Sequence, residues 1–193
     1  IKRINLAKLD IGMNGFFYDL LKGVLVNQRK DIKYAITYDA HGPSTMDYYY
    51  LCGMNIGIDA KRAYHNSTGL GFFSRVLIKL LANYFPQHEY YLFNPKPGTL
   101  FTPPAPHIKE VLPQKFLHQI LSSVWRSKWV TQDLKRLKID LYHGPSHEIP
   151  VGIPQTGIAS VVTIHDLFPE LYPQDFKPIV VKLYRTKHWY ACK

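Results

Sequence analysis

Two groups of polar residues follow apolar runs in this sequence, and their types allow proton transfer or hydroxyl recognition. Residues 158–164 (IASVVTI) are nearly all apolar or β-branched, and they stop at His165 and Asp166. A histidine at a strand end can bind a hydroxyl or move a proton. Asp166 beside it either fixes the imidazole tautomer or caps the next turn. Upstream, residues 139–142 (IDLY) run into His143, Ser146, His147 and Glu148. The spacing H-x-x-x-H-E is not that of a helical zinc hydrolase, and the nearby prolines oppose a helix, so no metal is expected. A third group is Gly69 and Gly71, just before a helical pattern. Glycines there let a backbone approach a diphosphate or sugar ring, and a helix start offers free N–H groups. A tight strand–helix turn explains them equally well. No third glycine completes a dinucleotide fingerprint, and no G-x-S-x-G elbow supports acyl transfer.

The elements that must hold these residues read as an α/β domain. Residues 54–60 (MNIGIDA) predict a first buried strand ending in a polar turn. Residues 72–85 predict a helix with Phe73, Val76, Leu77, Leu80, Leu81 and Tyr84 inward and Arg75, Lys79 and Asn83 outward. Residues 89–95 (EYYLFNP) predict the second strand, followed by a proline-rich loop through Pro106. That loop covers an acceptor side or is a surface connection. From Leu112 the period is helical again. Phe116, Leu117, Ile120, Leu121, Val124 and Trp125 form a stripe expected to pack on the sheet, bordered by Lys115, Arg126 and Lys128; an aromatic, basic helical pair also suits a membrane surface. A short helix over 129–137 follows. Residues 158–164 predict a central parallel strand buried on both faces, and residues 178–193 predict a closing helix. Open sheets bind ligands outside the carboxyl ends of their strands, so all three polar groups converge on one rim.

The chain has 193 residues, 46% of them hydrophobic, enough for one sizeable core. Residues 1–53 read differently from 54–193. They hold a helical pattern at 15–26, a strand pattern at 33–38 and an aromatic cluster within 41–53, with Asp39 and His41 as weak candidates. They are an extension, the tail of a preceding domain, or a mis-annotated leader upstream of a start at Met54. The two cysteines, Cys52 and Cys192, match no zinc or redox spacing. No run of apolar residues is long enough to span a bilayer. The formal charge of +10 favours anionic partners, but no zinc-finger or RNA-binding signature accompanies it, so nucleic acid is not expected.

Four stretches, MNIGIDAKRAYHNSTGLGFFSR, YHGPSHEIP, VVTIHDLFPELYP and YRTKHWYACK, resemble the amino-terminal domain of retaining glycosyltransferases built from two Rossmann-like domains, the GT-B class, of the family 4 type that makes bacterial polysaccharide and lipopolysaccharide. The resemblance covers residues 54–193 and not 1–53. It implies a Rossmann-like parallel sheet with helices on both faces, one half of such a fold, with the donor-binding domain beyond Lys193 and little activity alone. It implies a sugar moved from a nucleotide sugar, such as GDP-mannose or UDP-glucose, to a glycan or lipid-linked acceptor, without a cofactor or required metal.

By the same resemblance, His165 contacts the transferred sugar or reacting centre and Asp166 supports its loop. Gly69 and Gly71, with Arg75, face the donor phosphates and sugar. The acceptor side falls to His143, Ser146, His147 and Glu148, with Tyr64 nearby. A cytoplasmic protein follows, with peripheral contact on the inner membrane face and anionic lipid. Two other readings remain open: a single Rossmann-like nucleotide-binding domain of another enzyme class, and a non-catalytic membrane-surface domain. The first lacks the acidic ribose-binding residue after its second strand, where Asn94-Pro95 stands.

Overall fold

The computed structural model describes residues 53–192. Contacts divide the chain after Gly53, and the described part is the unit that begins at Met54. Asp39, His41, the elements expected over residues 15–26 and 33–38, and all of the 41–53 cluster but Gly53 lie outside the described residues.

Five parallel strands form one sheet in the order β3-β2-β1-β4-β5. They are β1 (Asn55–Asp59), β2 (Glu89–Phe93), β3 (Ile108–Val111), β4 (Leu141–Gly144) and β5 (Ala159–Val162). Helices α1 (Lys61–His65) and α2 (Gly69–Tyr84) connect β1 to β2. Between β3 and β4 lie α3 (Phe116–Ile120), α4 (Ser122–Val124), a π-helical turn (Trp125–Trp129) and α5 (Val130–Arg136). After β5 come α6 (Phe168–Leu171) and α7 (Pro178–Ala191).

The two-residue period of the strands builds two cores. Ile56 and Ile58 of β1, with Tyr90 and Leu92 of β2, point to one face and meet Ala63, Tyr64, Ile78 and Ala82 of α1 and α2. Phe93 and Tyr142 point to the other, where Trp125, Val130 and Leu134 cover them. Helices therefore occupy both faces, as the resemblance implies. Each fully buried Ile58, Leu77, Leu92 or Leu134 contributes about 1.5–3 kcal/mol.

The structure departs from the sequence reading at five elements. β3 is an added strand, paired to β2 from Tyr90↔Ile108 to Phe93↔Val111; its text, IKEV, is too polar and short to show a strand period. β4 lies two residues later than expected, which puts His143 inside the strand. β5 is an edge strand of the described sheet, and its four residues are only half-buried. Helix α2 starts earlier, so Gly69 and Gly71 lie inside its first turn. Its inward row is Gly71, Ser74, Leu77, Ile78 and Ala82, while Tyr84 is exposed.

The fifth departure is the stripe. Only Trp125 enters the core; Phe116, Leu117, Ile120, Leu121 and Val124 face solvent. Leu121, at φ −97° and ψ 48°, breaks the helix after one turn. The sheet face it would have covered is already filled by Trp125, Val130 and Leu134.

Candidate functional site

In the order β3-β2-β1-β4-β5 the chain crosses the sheet between β1 and β4, which makes their carboxyl ends the topological switch point. Asp59 ends β1, and the segment Pro145–Glu148 leaves β4 on the neighbouring side. A buried ion cluster spans the two. The Arg126 guanidinium donates to Asp59 through Nε at 2.9 Å and Nη2 at 2.5 Å. The same Nη2 contacts Glu148, whose other oxygen pairs with Lys187 Nζ of α7 at 2.5 Å. Burial alone would disfavour the charged forms of Arg126 and Glu148. Their mutual attraction, with Asp59 and Lys187, outweighs it, so the arginine is held above and the carboxyl below its ordinary range. Lys61, at the start of α1, is lowered by burial and by Arg126 and Arg62. Lys61 and Arg62 add two cations beside this cluster, and Asp166 and Glu170 add two carboxylates on the side of α7.

The loop after β4 is folded tightly. A Cβ on Gly144 would collide with the carbonyl oxygen of Glu148, so only glycine lets the loop close over the strand end. His147 sits in the left-handed region at φ 63°, a conformation that histidine adopts more readily than bulkier residues. Its N–H donates to the Thr163 carbonyl at 3.0 Å, tying this loop to the end of β5.

The histidines divide by environment. His143, 5% exposed, shares a 2.8 Å hydrogen bond between Nε2 and Thr163 Oγ1. Burial pushes its pKa down to about 4, with Asp59 opposing and His165 adding to the shift. It is therefore neutral at physiological pH and belongs to the interior rather than to an open loop. His165 Nε2 donates to the Pro145 carbonyl at 2.8 Å. A carbonyl only accepts, so this bond fixes the tautomer and leaves Nδ1 as the acceptor of the neutral ring. The His165 ring packs edge-on against Phe73 at 4.8 Å and against His147 at 5.2 Å. His147 also stacks on His188 of α7 at 5.5 Å and lies 5.4 Å from Tyr184. Burial and His165 lower its pKa. Ser146 Oγ, His147 Nδ1 and His188 Nε2 are all buried without a protein hydrogen-bond partner, the condition that an ordered water or a ligand hydroxyl relieves.

These positions narrow one expected role and correct others. Asp166 does not orient His165. Its Oδ1 accepts from Phe168 N at 3.3 Å and caps the turn into α6, the second of the two roles its sequence position allowed. Tyr64 is 2% exposed, packed edge-on to Phe101 at 5.6 Å, and lies in the core rather than on an acceptor face. Arg75 does not point freely outward: its Nη1 donates to the carbonyls of Ala63 and Asn66 at 3.0 and 2.9 Å. Gly71 lacks a side chain because a Cβ would strike the Asn66 carbonyl, while a Cβ on Gly69 would meet nothing within 4 Å. Asn66 Oδ1 accepts from Gly71 N at 3.2 Å, and the amides of Gly69 and Leu70 keep no intrahelical partner. Glu148 is a member of the ion cluster rather than a free acceptor-binding carboxylate.

The residues missed from sequence are Asp59, Arg126, Lys187 and His188. Asp59 carried a signal, an acid closing an apolar strand. Arg126 is 67 residues from Asp59, and no local pattern links them. His65 and Asn94 are joined at 3.0 Å, with Asn94 Nδ2 donating to Glu110 at 2.7 Å. The position where a dinucleotide fold carries its ribose-binding acid is thus a buried structural amide. Among the described residues no cluster of histidine, cysteine or carboxylate side chains is arranged to hold a metal ion. No helix there is long and apolar enough to cross a membrane.

The fold and site define an open, parallel, Rossmann-like α/β domain with a polar, charged switch point. Comparison with protein-family models, curated proteins and solved structures returned no match.

Proposed function

We propose that this chain is the amino-terminal, acceptor-side part of a retaining glycosyltransferase that uses a nucleotide sugar. The observation that carries the reading is the convergence of His165, the Pro145–Glu148 loop and the Asp59–Arg126–Glu148–Lys187 ion cluster on the switch point of a parallel sheet. Breaking a sugar–diphosphate bond places negative charge on the leaving phosphate and positive charge on the sugar. Cationic side chains and oriented amides favour the first. Here these are Lys61 and Arg62 at the switch point and the unpartnered amides of Gly69 and Leu70, where the absence of a Cβ on Gly69 leaves room for a ligand. His165 Nδ1 accepts from a sugar hydroxyl and orients the ring at the reacting carbon. Ser146, His147 and His188 recognise hydroxyls on the acceptor side. A hydrolytic pair of opposed carboxylates is not required, because the acceptor enters on the leaving-group face.

The test is release of nucleotide from a panel of UDP-, GDP- and ADP-sugars by the chain expressed with the coding sequence that flanks it, with and without glycan acceptors. One donor is turned over, and His165→Ala lowers that turnover about 10²-fold or more at unchanged circular dichroism. A folded protein that neither binds nor turns over any donor refutes the reading. Turnover indifferent to His165→Ala removes the histidine from the mechanism.

A further inference from the structure

Glu170 of α6 and His188 of α7 form a pair. Glu170 Oε1 accepts from His188 Nδ1 at 2.8 Å. A carboxylate oxygen only accepts, so the hydrogen sits on Nδ1, and Nε2 is the acceptor of the neutral ring. That nitrogen is buried without a protein partner. A pair that served only to join the two helices would leave Nε2 to surface water; burying it bare is costly.

Two further bare atoms adjoin it. His147 stacks on His188 at 5.5 Å, and its Nδ1 has no partner. Ser146, its chain neighbour, keeps Oγ in the same condition. All three residues are more than nine-tenths buried. Helix α7 is pinned on both sides of His188. Lys187 pairs with Glu148 at 2.5 Å, and the Tyr190 hydroxyl accepts from Gly152 N at 2.6 Å and donates to the Pro150 carbonyl at 3.3 Å. These ties hold the imidazole in place. The charges on this side disfavour an anion. Glu170 and Asp166 lie beside the imidazoles, Lys187 is taken up by Glu148, and Arg62 is the opposing cation.

We propose that Glu170 is a positioning residue. It sets His188 Nε2 as a hydrogen-bond acceptor, and Ser146, His147 and His188 together take an uncharged sugar hydroxyl and turn away a phosphate or carboxylate. The inference deepens the acceptor-side reading and takes from it that the ligand is a sugar.

Nitrogen NMR of the full chain with labelled histidine tests it, because ring shifts separate a protonated nitrogen from a bare one. His188 carries its hydrogen on Nδ1 in the unsubstituted chain and in Glu170→Gln, whose amide oxygen still accepts. Glu170→Leu releases it into a mixture of tautomers. The Glu170 side chain is 30% exposed, so both variants fold. Methyl α-mannopyranoside or methyl α-glucopyranoside shifts His188 Nε2, and inorganic phosphate does not. Glu170→Leu weakens that glycoside binding about 10-fold, and Glu170→Gln restores it. Four results overturn the proposal: a hydrogen on Nε2 in the unsubstituted chain, a tautomer indifferent to Glu170→Leu, an Nε2 that answers to neither glycoside because an ordered water alone fills the site, or one that answers to phosphate. Failure of the transferase reading shows separately. A chain that turns over no nucleotide sugar yet gives these shifts loses that reading and keeps the hydroxyl site; turnover with the wrong tautomer does the reverse.

Discussion

At the scale of single residues, His143 makes the stability of this domain depend on pH. Its folded pKa of about 4 lies below the ordinary 6.5. Above the ordinary value both states are neutral and nothing is lost. As pH falls below 6.5, the unfolded chain takes up a proton that the folded one refuses, so stability drops until the pH reaches about 4. The loss approaches about 3 kcal/mol, and His147, shifted in the same direction, adds to it. Urea titrations across that range give the slope, and His143→Gln flattens it. Arg126 supplies the second residue-scale prediction. Arg126→Met leaves Asp59 buried and unpaired, which costs about 3–5 kcal/mol. Adding Asp59→Asn recovers part of it. In the single variant the Glu148 carboxyl titrates at higher pH, a change that carboxyl NMR detects and that simple loss of packing does not produce.

At the scale of elements, the first turn of α2 separates two glycines that look alike in sequence. Gly71→Ala drives a methyl into the Asn66 carbonyl and lowers stability by about 1–3 kcal/mol. Gly69→Ala meets open space and shifts stability by no more than about 0.5 kcal/mol. Thermal unfolding of the two variants separates these outcomes, and nucleotide-sugar binding shows the reverse ranking if Gly69 faces the donor. Asn66 holds the same turn. Its Oδ1 accepts from Thr68 N at 2.8 Å, from Thr68 Oγ1 at 2.7 Å and from Gly71 N at 3.2 Å. Asn66→Ala therefore costs about 1 kcal/mol through the lost cap, measured by the same unfolding experiment. The stripe of α3 and α4 teaches a related point. Helical spacing marks apolar side chains at i and i+4, and it is silent on whether the helix runs unbroken through them and on whether they meet the sheet or the solvent.

At the scale of the whole molecule, the switch point sets where chemistry is available. The parallel order places the ends of β1 and β4 side by side, and Arg126, carried in from the π-helical turn on the opposite strand connection, locks them together. Helix α7 supplies Lys187, His188 and Tyr184 to the same rim. Lys187→Ala consequently removes one cation from the switch point without unburying Asp59. It lowers affinity for an anionic nucleotide sugar several-fold, read by calorimetry, while the unfolding midpoint moves by less than about 1 kcal/mol equivalent.

The strand–helix alternation, the apolar first strand, the closing helix α7 and the placing of Ser146, His147 and His165 after strand ends are legible in local spacing, whereas the burial expected for β5 is not found. These follow from local periodicity and from the rule that chain direction in a parallel sheet puts all such ends on one rim. Only the tertiary structure decided the rest. The Asp59–Arg126–Glu148–Lys187 cluster joins four separate segments. The difference between Gly69 and Gly71 and the capture of Arg75 come from the fold of the Asn66 turn a few residues away, which periodicity does not report. The burial of Tyr64 against Phe101 and the outward turn of the Phe116–Val124 row are settled between residues far apart in the chain, and no spacing within one segment records them.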